Sequence, residues 1–158
     1  MDLRELFLKQ KDFQRKRTRA VFPIIPRDKI SWSPVEGALS VGQLLRHIWN
    51  SESGVREIPL YERFSYHERR VPLGLFAVLG DVTDIDHEIE MMEKTHSETL
   101  ELVSQMPLER FEQEFQNEKL NFRRKGYAIL FGIIEHEIHH RAQLLTYLRI
   151  LGVPGSGH

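Results

Sequence analysis

The sequence predicts an all-α protein whose helices pack as a bundle. Apolar residues recur at helical spacing through four segments, 2–21, 40–58, 81–106 and 123–151. Between these segments no stretch convincingly predicts a strand. The first two connections are rich in proline and glycine and are longer than a compact bundle needs, so one of them is expected to cross the bundle or cover a site.

The predicted helices begin and end at recognisable signals. Ser40, with Gln43 three residues later, has the spacing of a capping box. Asp81 opens the third segment, where a carboxylate favours the helix N-terminus. Gly152, followed by Pro154, is a typical stop for the last helix.

Two connections leave alternatives open. The second connection, of about 22 residues, is long enough to span the second helix, so a parallel pair of helices joined by a crossover is allowed. The third, 107–121, carries Phe111 and Phe115 at the spacing of a helical turn, yet its residues also alternate as in a short strand. This segment is therefore predicted as irregular.

The length and composition predict one folded domain. The 158 residues, 41% hydrophobic and 28% charged, are within the range of globular proteins. A chain of this size can bury its own core without disulfides or a structural metal. We expect residues 1–152 to form a single helical bundle domain and the glycine-rich end, 153–158, to form a flexible tail.

The charges exclude a general attraction to nucleic acid or to anionic membranes. The 22 lysines and arginines are balanced by 23 aspartates and glutamates, which gives a net charge of -1. The basic run from Lys9 to Arg19 contains apolar residues at helical spacing, so we interpret it as the solvated face of an amphipathic helix.

The sequence also indicates a soluble cytoplasmic protein. No apolar run approaches the roughly 20 residues of a membrane span, and no signal-peptide pattern follows Met1. The chain contains no cysteine, which is consistent with a cytoplasmic location and excludes disulfides and a thiol nucleophile of the protein itself.

Two histidines in the last segment predict a metal site. His136 and His140 lie four residues apart, so on a helix their side chains lie one above the other, close enough to bind one ion. They share a stripe with apolar residues that should face the core, where an unpartnered imidazole is costly. That stripe comprises Ile129, Ile133, Leu144, Tyr147 and Leu151.

A catalytic site of this kind needs a third protein ligand, for which we select His47. This histidine lies in the second segment at the edge of an apolar face, and a bundle can aim side chains of facing helices at one point. The ring N–H groups that face away from the ion need acceptors. The candidates nearby are Glu135, Glu137 and Gln143.

The other histidines fit this site less well. His139 is rotated by about 100° from His140 on an ideal helix, which suits a surface or supporting role. His87 and His96 lie among acidic residues and are predicted to be solvated, and His67 falls in a connection. Several aromatic residues could line a pocket near the metal, although the core is the more usual place for them. They are Trp32, Trp49, Tyr61, Phe64 and Tyr66.

The metal motif also matches the pattern HExxH. In that pattern Glu137 would act as the general base of a metallopeptidase, with His136 and His140 on zinc. Such enzymes usually take their third ligand from beyond the motif. The only histidine that follows is His158, in the predicted tail, where it is a poor candidate.

Two motifs carry a resemblance to a known family. They are SVGQLLRH at 40–47 and HEIHHRAQL at 136–144, the second followed by YLRILG at 147–152. In these motifs the chain resembles the DinB/YfiT-like metalloenzymes, which are distinct from the DNA polymerase of the same name. The order of helices and histidines extends the resemblance over nearly the whole chain. The family commonly has glycine where this chain has Ala142, a small change that leaves the histidines in place.

The resemblance implies a four-helix bundle with up-down-down-up topology. It implies that His47, His136 and His140 bind a divalent metal ion, often zinc or nickel, and that the protein is a homodimer. Related proteins include S-transferases and isomerases that use a low-molecular-weight thiol such as bacillithiol. Because this chain lacks cysteine, any thiolate would have to arrive with the substrate.

These observations lead to three hypotheses about function. The first is a metal-dependent enzyme, a thiol-dependent S-transferase or a hydrolase that acts on a small molecule. The second is a non-catalytic metal-binding or stress-related dimeric interaction protein. The third is a metallopeptidase with Glu137 as its general base.

Overall fold

Four long helices and several short elements make up the structure, a computed structural model that describes residues 1–157. The helices are α1 (Leu3–Arg19), α2 (Val41–Val55), α3 (Glu57–Tyr61), α4 (Ser65–Leu73), α5 (Leu75–Leu79), α6 (Ile85–Ser104), α7 (Glu109–Glu112) and α8 (Gly126–Ile150), and the strands are β1 (Glu114–Asn117) and β2 (Phe122–Lys125). Short 3-10 helices lie at Phe22–Ile24, Arg27–Lys29 and Glu118–Leu120. His158, considered above as a ligand, lies outside the described residues.

The second and third long helices, α2 and α6, run parallel. Arg46 of α2 pairs with Glu88 of α6, and Arg56, just beyond α2, pairs with Glu98 farther along α6. The contacts therefore advance in the same direction along both helices. A parallel pair needs a crossover, and α3, α4 and α5 form it within the second connection.

The first and last helices, α1 and α8, are also parallel. Lys11 of α1 contacts Glu137 of α8, and Thr18, two turns later, contacts Arg141. By contrast, α2 runs antiparallel to α8, since His47 lies against His140 while Ser51 contacts the earlier residue His136. The structure is thus an all-α bundle with the up-down-down-up order that the resemblance implies.

Helix α2 begins where the capping box predicts, whereas α6 begins later than the sequence predicts. Ser40 and Gln43 form the capping box, with each side chain bonded to the backbone N–H of the other. Helix α6 begins at Ile85 because the carboxylate of Asp84, not that of Asp81, accepts hydrogen bonds from the first turn. The predicted start at Asp81 is therefore wrong by about one turn.

The third connection contains a β-hairpin that the sequence did not predict. Strand β1 pairs antiparallel with β2, with Glu114 opposite Lys125. Helix α8 therefore begins at Gly126, not at Arg123. The hairpin packs on the bundle through Phe115, which is 3% exposed. Its second strand is mostly exposed and cationic, so it lacks the apolar alternation that predicts a strand.

The apolar core lies between the long helices, as the stripe on α8 predicts. Ile129, Ile133, Leu144 and Tyr147 are each at most 4% exposed. Beyond α8, Val153 packs against the core, and Arg149 donates to the carbonyl of the buried residue Ser156. The predicted tail thus contacts the domain, and its flexibility stays a prediction. None of the helices within residues 1–157 is both long and apolar enough to cross a membrane.

Four charged side chains are buried together at the centre of the bundle. They are Lys11 and Arg15 of α1, Glu52 of α2 and Glu137 of α8, each at most 2% exposed. Nζ of Lys11 lies 2.9 Å from Glu137 and 3.0 Å from Glu52. Nε of Arg15 lies 2.8 Å from Glu137, and Nη2 lies 3.3 Å from Glu52. Two cations face two carboxylates, so this buried charge cluster carries no net charge.

The buried charge cluster corrects our interpretation of the basic run 9–19. Lys11 and Arg15 belong to the buried face of α1, while Phe13 is 52% exposed. The predicted solvated face is therefore wrong for these two cations. The spacing of charges within one helix does not show whether their partners are water or carboxylates on helices distant in sequence.

Loss of one carboxylate from the buried charge cluster should strongly destabilise the protein. In Glu137→Gln two buried cations would face a single carboxylate, so we expect the free energy of unfolding to fall by about 3–5 kcal/mol. The matched control is Glu135→Gln, because Glu135 is exposed on the same helix and should change stability by at most about 0.5 kcal/mol. Urea unfolding measures both, and equal losses would contradict the assignment.

Candidate metal centre

The structure brings His47, His136 and His140 together. One ring nitrogen from each lies within 4.8 Å of the other two. Nε2 of His136 is 2.9 Å from Nε2 of His47, and the ring centroids are 4.4 to 4.7 Å apart. The four-residue spacing on α8 stacks two rings on one face, and the antiparallel helix α2 supplies the third. We call these residues the histidine cluster.

Hydrogen bonds fix which nitrogens of α8 face the middle of the histidine cluster. Ser51 Oγ donates to the carbonyl of His47, which leaves it free to accept from Nδ1–H of His136 at 3.3 Å. Nδ1 of His140 lies 2.8 Å from Oε1 of Gln143, which acts as an acceptor. A proton on Nδ1 leaves the lone pair on Nε2 of each ring. Gln143 was among the predicted acceptors, and Ser51 was not.

A hydrogen-bonding proton or a cation has to lie between Nε2 of His47 and Nε2 of His136. The Nε2 lone pair of His136 faces Nε2 of His47 at 2.9 Å, and two lone pairs at that distance would repel each other. In the metal-free protein a proton on Nε2 of His47 satisfies this requirement. A metal cation would replace that proton, which would then move to Nδ1 of His47, a buried atom without a hydrogen-bond partner among the described residues.

The imidazoles of the histidine cluster are neutral at pH 7. Burial, followed by the positive charge of neighbouring groups, lowers the pKa of His47 to about 4 and that of His136 to about 3. Burial also lowers the pKa of His140, although its bond to Gln143 acts in the opposite direction. Arg70 contributes to the lowering at all three. Neutral imidazole is the form that binds metal ions.

The residues of the histidine cluster could hold a metal ion. Imidazole nitrogen is a common ligand for transition-metal ions, and three protein ligands leave a coordination position open. The inward lone pairs of His136 and His140 and the acceptors on their outer nitrogens are the arrangement that metal-binding histidines usually show.

The other histidines of residues 1–157 are not part of the histidine cluster. His87 and His139 are exposed, in agreement with their predicted places. His96 is only 2% exposed, so its predicted solvation is wrong. It packs between helices, with Nδ1 3.3 Å from Lys11 and Nε2 3.4 Å from Asp12. The acidic neighbours of His96 in the sequence indicated a solvated face. In the structure this part of α6 packs against α1, so the imidazole contacts Lys11 and Asp12 instead of water.

Glu137 does not take part in the histidine cluster. Its oxygens accept hydrogen bonds from Lys11, Arg15 and Thr18. Burial alone would raise the pKa of this carboxyl, but the charge of Lys11 and the hydrogen bond from Arg15 hold it well below its ordinary value. A general base needs an oxygen that is free to take up a proton. These contacts argue against the role considered for Glu137 from the HExxH pattern.

A cavity of about 310 Å³ opens beside His47 and His136. Phe122, Ile129 and Ile133 form part of its apolar wall. A space of this size, largely apolar with a few convergent polar groups, is typical of small-molecule sites. The histidine cluster is thus connected to a space that a small ligand can enter.

Arg70 and Arg124 were missed from the sequence as cavity residues, and His67 was considered there only as a less suitable metal ligand. His67 and Arg70 come from α4 and Arg124 comes from β2, both elements that the helical pattern did not predict. Tyr66 had been considered as a pocket residue and does line the cavity. Of the other aromatic candidates, Trp32 packs on Tyr147 and Trp49 donates to Glu88. Only the fold of the crossover and hairpin brings these residues to the histidines.

The fold and the histidine cluster define a class, a four-helix bundle whose facing helices carry three converging histidines. The sequence matches the model of the DinB superfamily over residues 10–144. The chain therefore belongs to the DinB superfamily.

Individual relatives agree with this membership. The chain is 28% identical over 141 residues to the uncharacterized protein YjoA of Bacillus subtilis (strain 168), an alignment that covers 87% of this chain and 84% of YjoA. It is also similar to the crystal structure of a DinB-like protein, YjoA from Bacillus subtilis, with a TM-score of 0.73 at 21% identity. That similarity covers 95% of this chain and 94% of the other, and it shows the shared fold.

The stability of the metal-free protein should decrease as the pH falls below about 6.5. The unfolded chain takes up protons on its histidines near that pH, whereas folded His47 and His136 stay neutral down to about 4 and about 3. The unfolded state therefore binds more protons in this window, and each such histidine should cost about 1.4 kcal/mol per pH unit. Urea unfolding between pH 7 and pH 4 measures the slope.

Variants assign this slope to the histidine cluster. His136→Gln should reduce the slope of the unfolding free energy against pH by the contribution of up to one bound proton, because the variant side chain does not titrate. His139→Gln removes an exposed histidine of the same helix and should leave the slope unchanged. Identical slopes in both variants would show that His136 is not held neutral by burial.

Proposed function

We propose that this protein is a metal-dependent enzyme that acts on a small molecule. In this proposal His47, His136 and His140 bind a divalent ion, zinc or nickel. The observation that carries it is the convergence of three neutral imidazoles, two of which, His47 and His136, line a cavity. Three protein ligands would leave a coordination position for a substrate atom or water.

Two reaction classes fit such a site. When bound, a divalent ion lowers the pKa of a coordinating thiol or water and so supplies a nucleophile at neutral pH. The family resemblance favours a thiol-dependent S-transferase, with a hydrolase as the alternative. Because the chain has no cysteine, the thiol would belong to a low-molecular-weight cosubstrate such as bacillithiol.

The residues around the histidine cluster have supporting roles in this proposal. Ser51 and Gln143 hold the rings of His136 and His140 with their Nε2 lone pairs inward. The apolar wall at Ile129 and Ile133 keeps water away from one side of the cavity. Exclusion of water strengthens the interaction of a bound nucleophile with its surroundings.

Metal content tests the ligand assignment. Protein purified without a histidine tag should contain close to one equivalent of metal per chain, and His136→Ala or His140→Ala should remove most of it. The control His139→Ala changes an exposed histidine between the two ligands and should retain the metal. Elemental analysis makes the measurement, and unchanged metal in the ligand variants would refute the site.

Activity after metal removal separates an enzyme from a non-catalytic metal-binding protein. For an enzyme we expect the apo protein to lose thiol-transfer or hydrolytic turnover, which returns when metal is added. Screening the metal-loaded protein with low-molecular-weight thiols and electrophiles provides the assay. A large fall in melting temperature on chelation, with no turnover in any metal-loaded sample, would favour the structural role instead.

Two further parts of the proposal rest on sequence alone. Homodimerisation is implied by the family resemblance, and the cytoplasmic location is inferred from the composition. Both stay predictions, which sedimentation velocity and fractionation of cells would test.

A further inference from the structure

The cavity beside the histidine cluster is lined by buried groups that lack hydrogen-bond partners. Within the described residues, Oε1 of Glu52, Oη of Tyr66 and Nδ1 of His67 are buried without a partner. All three residues line the cavity. Unsatisfied buried polar atoms are uncommon in folded proteins, so their concentration here indicates a wall that is completed by a polar ligand or by water.

Two arginines line the same cavity without a carboxylate to neutralise them. Arg70 of α4 and Arg124 of β2 are exposed, and neither forms an ion pair with a carboxylate among residues 1–157. The neighbouring Arg123 differs, because its Nε lies 2.8 Å from Oε1 of Glu114. The two arginine charges at the cavity are therefore available to an anionic ligand.

Both arginine charges reach the interior of the site. After burial, the charges of Arg70 and Arg124 are the causes that lower the pKa of His67. Arg70 and Arg124 line the same cavity as His47 and His136. An anion held by these guanidinium groups would consequently lie close to the histidine cluster.

Glu52 determines which end of the cavity an anion can occupy. It is 2% exposed, and its Oε2 atom contacts Lys11 and Arg15 in the buried charge cluster. The other oxygen, Oε1, has no donor and would repel an anionic group at the inner wall. An anion is thus favoured at the outer wall, where the arginines are, with the apolar part of the ligand against Phe122, Ile129 and Ile133.

We propose that the cavity binds a small organic anion whose carboxylate or phosphate group lies between Arg70 and Arg124, with its apolar part directed toward the histidine cluster. Guanidinium groups suit both anions because they offer paired N–H donors in one plane. This inference deepens the proposed function, since it names the class of molecule that the same site would take, but it concerns binding and does not require turnover.

Calorimetric titration of the full chain tests the proposal. The probes are 3-phenylpropionate, its neutral amide 3-phenylpropionamide, and phenyl phosphate, each added to metal-free and to metal-loaded protein. We expect at least one of the two anions to bind about tenfold tighter than the amide, and this advantage to shrink at high salt because the arginines are exposed. The anion that binds tighter identifies the preferred group, carboxylate or phosphate.

Paired variants assign the effect to the two arginines. Arg70→Gln and Arg124→Gln should each weaken anion binding by roughly threefold, and the double variant by roughly tenfold, with little change for the amide. The controls Arg69→Gln and Arg123→Gln remove adjacent charges that do not line this cavity, and they should change affinity less than twofold.

The outcomes separate this inference from the proposed function. Anion binding that is lost in the arginine variants supports the inference, whether or not the protein contains metal. Metal content that follows the histidine variants supports the proposed function independently. The inference is overturned if neither anion binds, if amide and anions bind equally, or if control variants lose as much affinity as Arg70→Gln and Arg124→Gln.

Discussion

The histidine cluster depends on how the buried charge cluster orients its helices. Lys11 and Arg15 of α1 hold Glu137 and Glu52 together at 2.8 to 3.3 Å. Because ionised groups without water must remain paired, this contact fixes the rotation of α8 about its axis. With Glu137 turned toward α1, the face that carries the histidines is turned toward α2. An electrostatic requirement in the core thus determines the geometry at the cavity.

The histidine cluster contains a second constraint of the same kind. Ser51 and Gln143 place protons on the outer nitrogens of His136 and His140, so their lone pairs converge. Converging lone pairs require a cation or a proton between them, and the 2.9 Å contact between Nε2 of His136 and Nε2 of His47 has the length of such a hydrogen bond. Burial keeps the rings neutral, and the same burial makes stability depend on pH and prepares the site for a metal ion.

The HExxH pattern shows how tertiary context changes the meaning of a motif. In the peptidase interpretation Glu137 would activate water on the ion. Here its carboxylate is committed to Lys11, Arg15 and Thr18, and the third histidine comes from an earlier helix, not from residues after the motif. The same five residues therefore combine a histidine pair that faces α2 with a carboxylate that is paired with cations of α1.

The sequence by itself determined the all-α class, the long helices and the pairing of His136 with His140, because these follow from local periodicity and from the four-residue spacing on α8. The sequence did not predict which side chains of one helix would meet residues that are distant in the chain. The burial of Lys11, Arg15 and His96, and the hairpin and crossover that bring Arg124 and Arg70 to the cavity, were decided by packing between helices. Local spacing records which side chains share a face, but only the tertiary structure determines what that face meets.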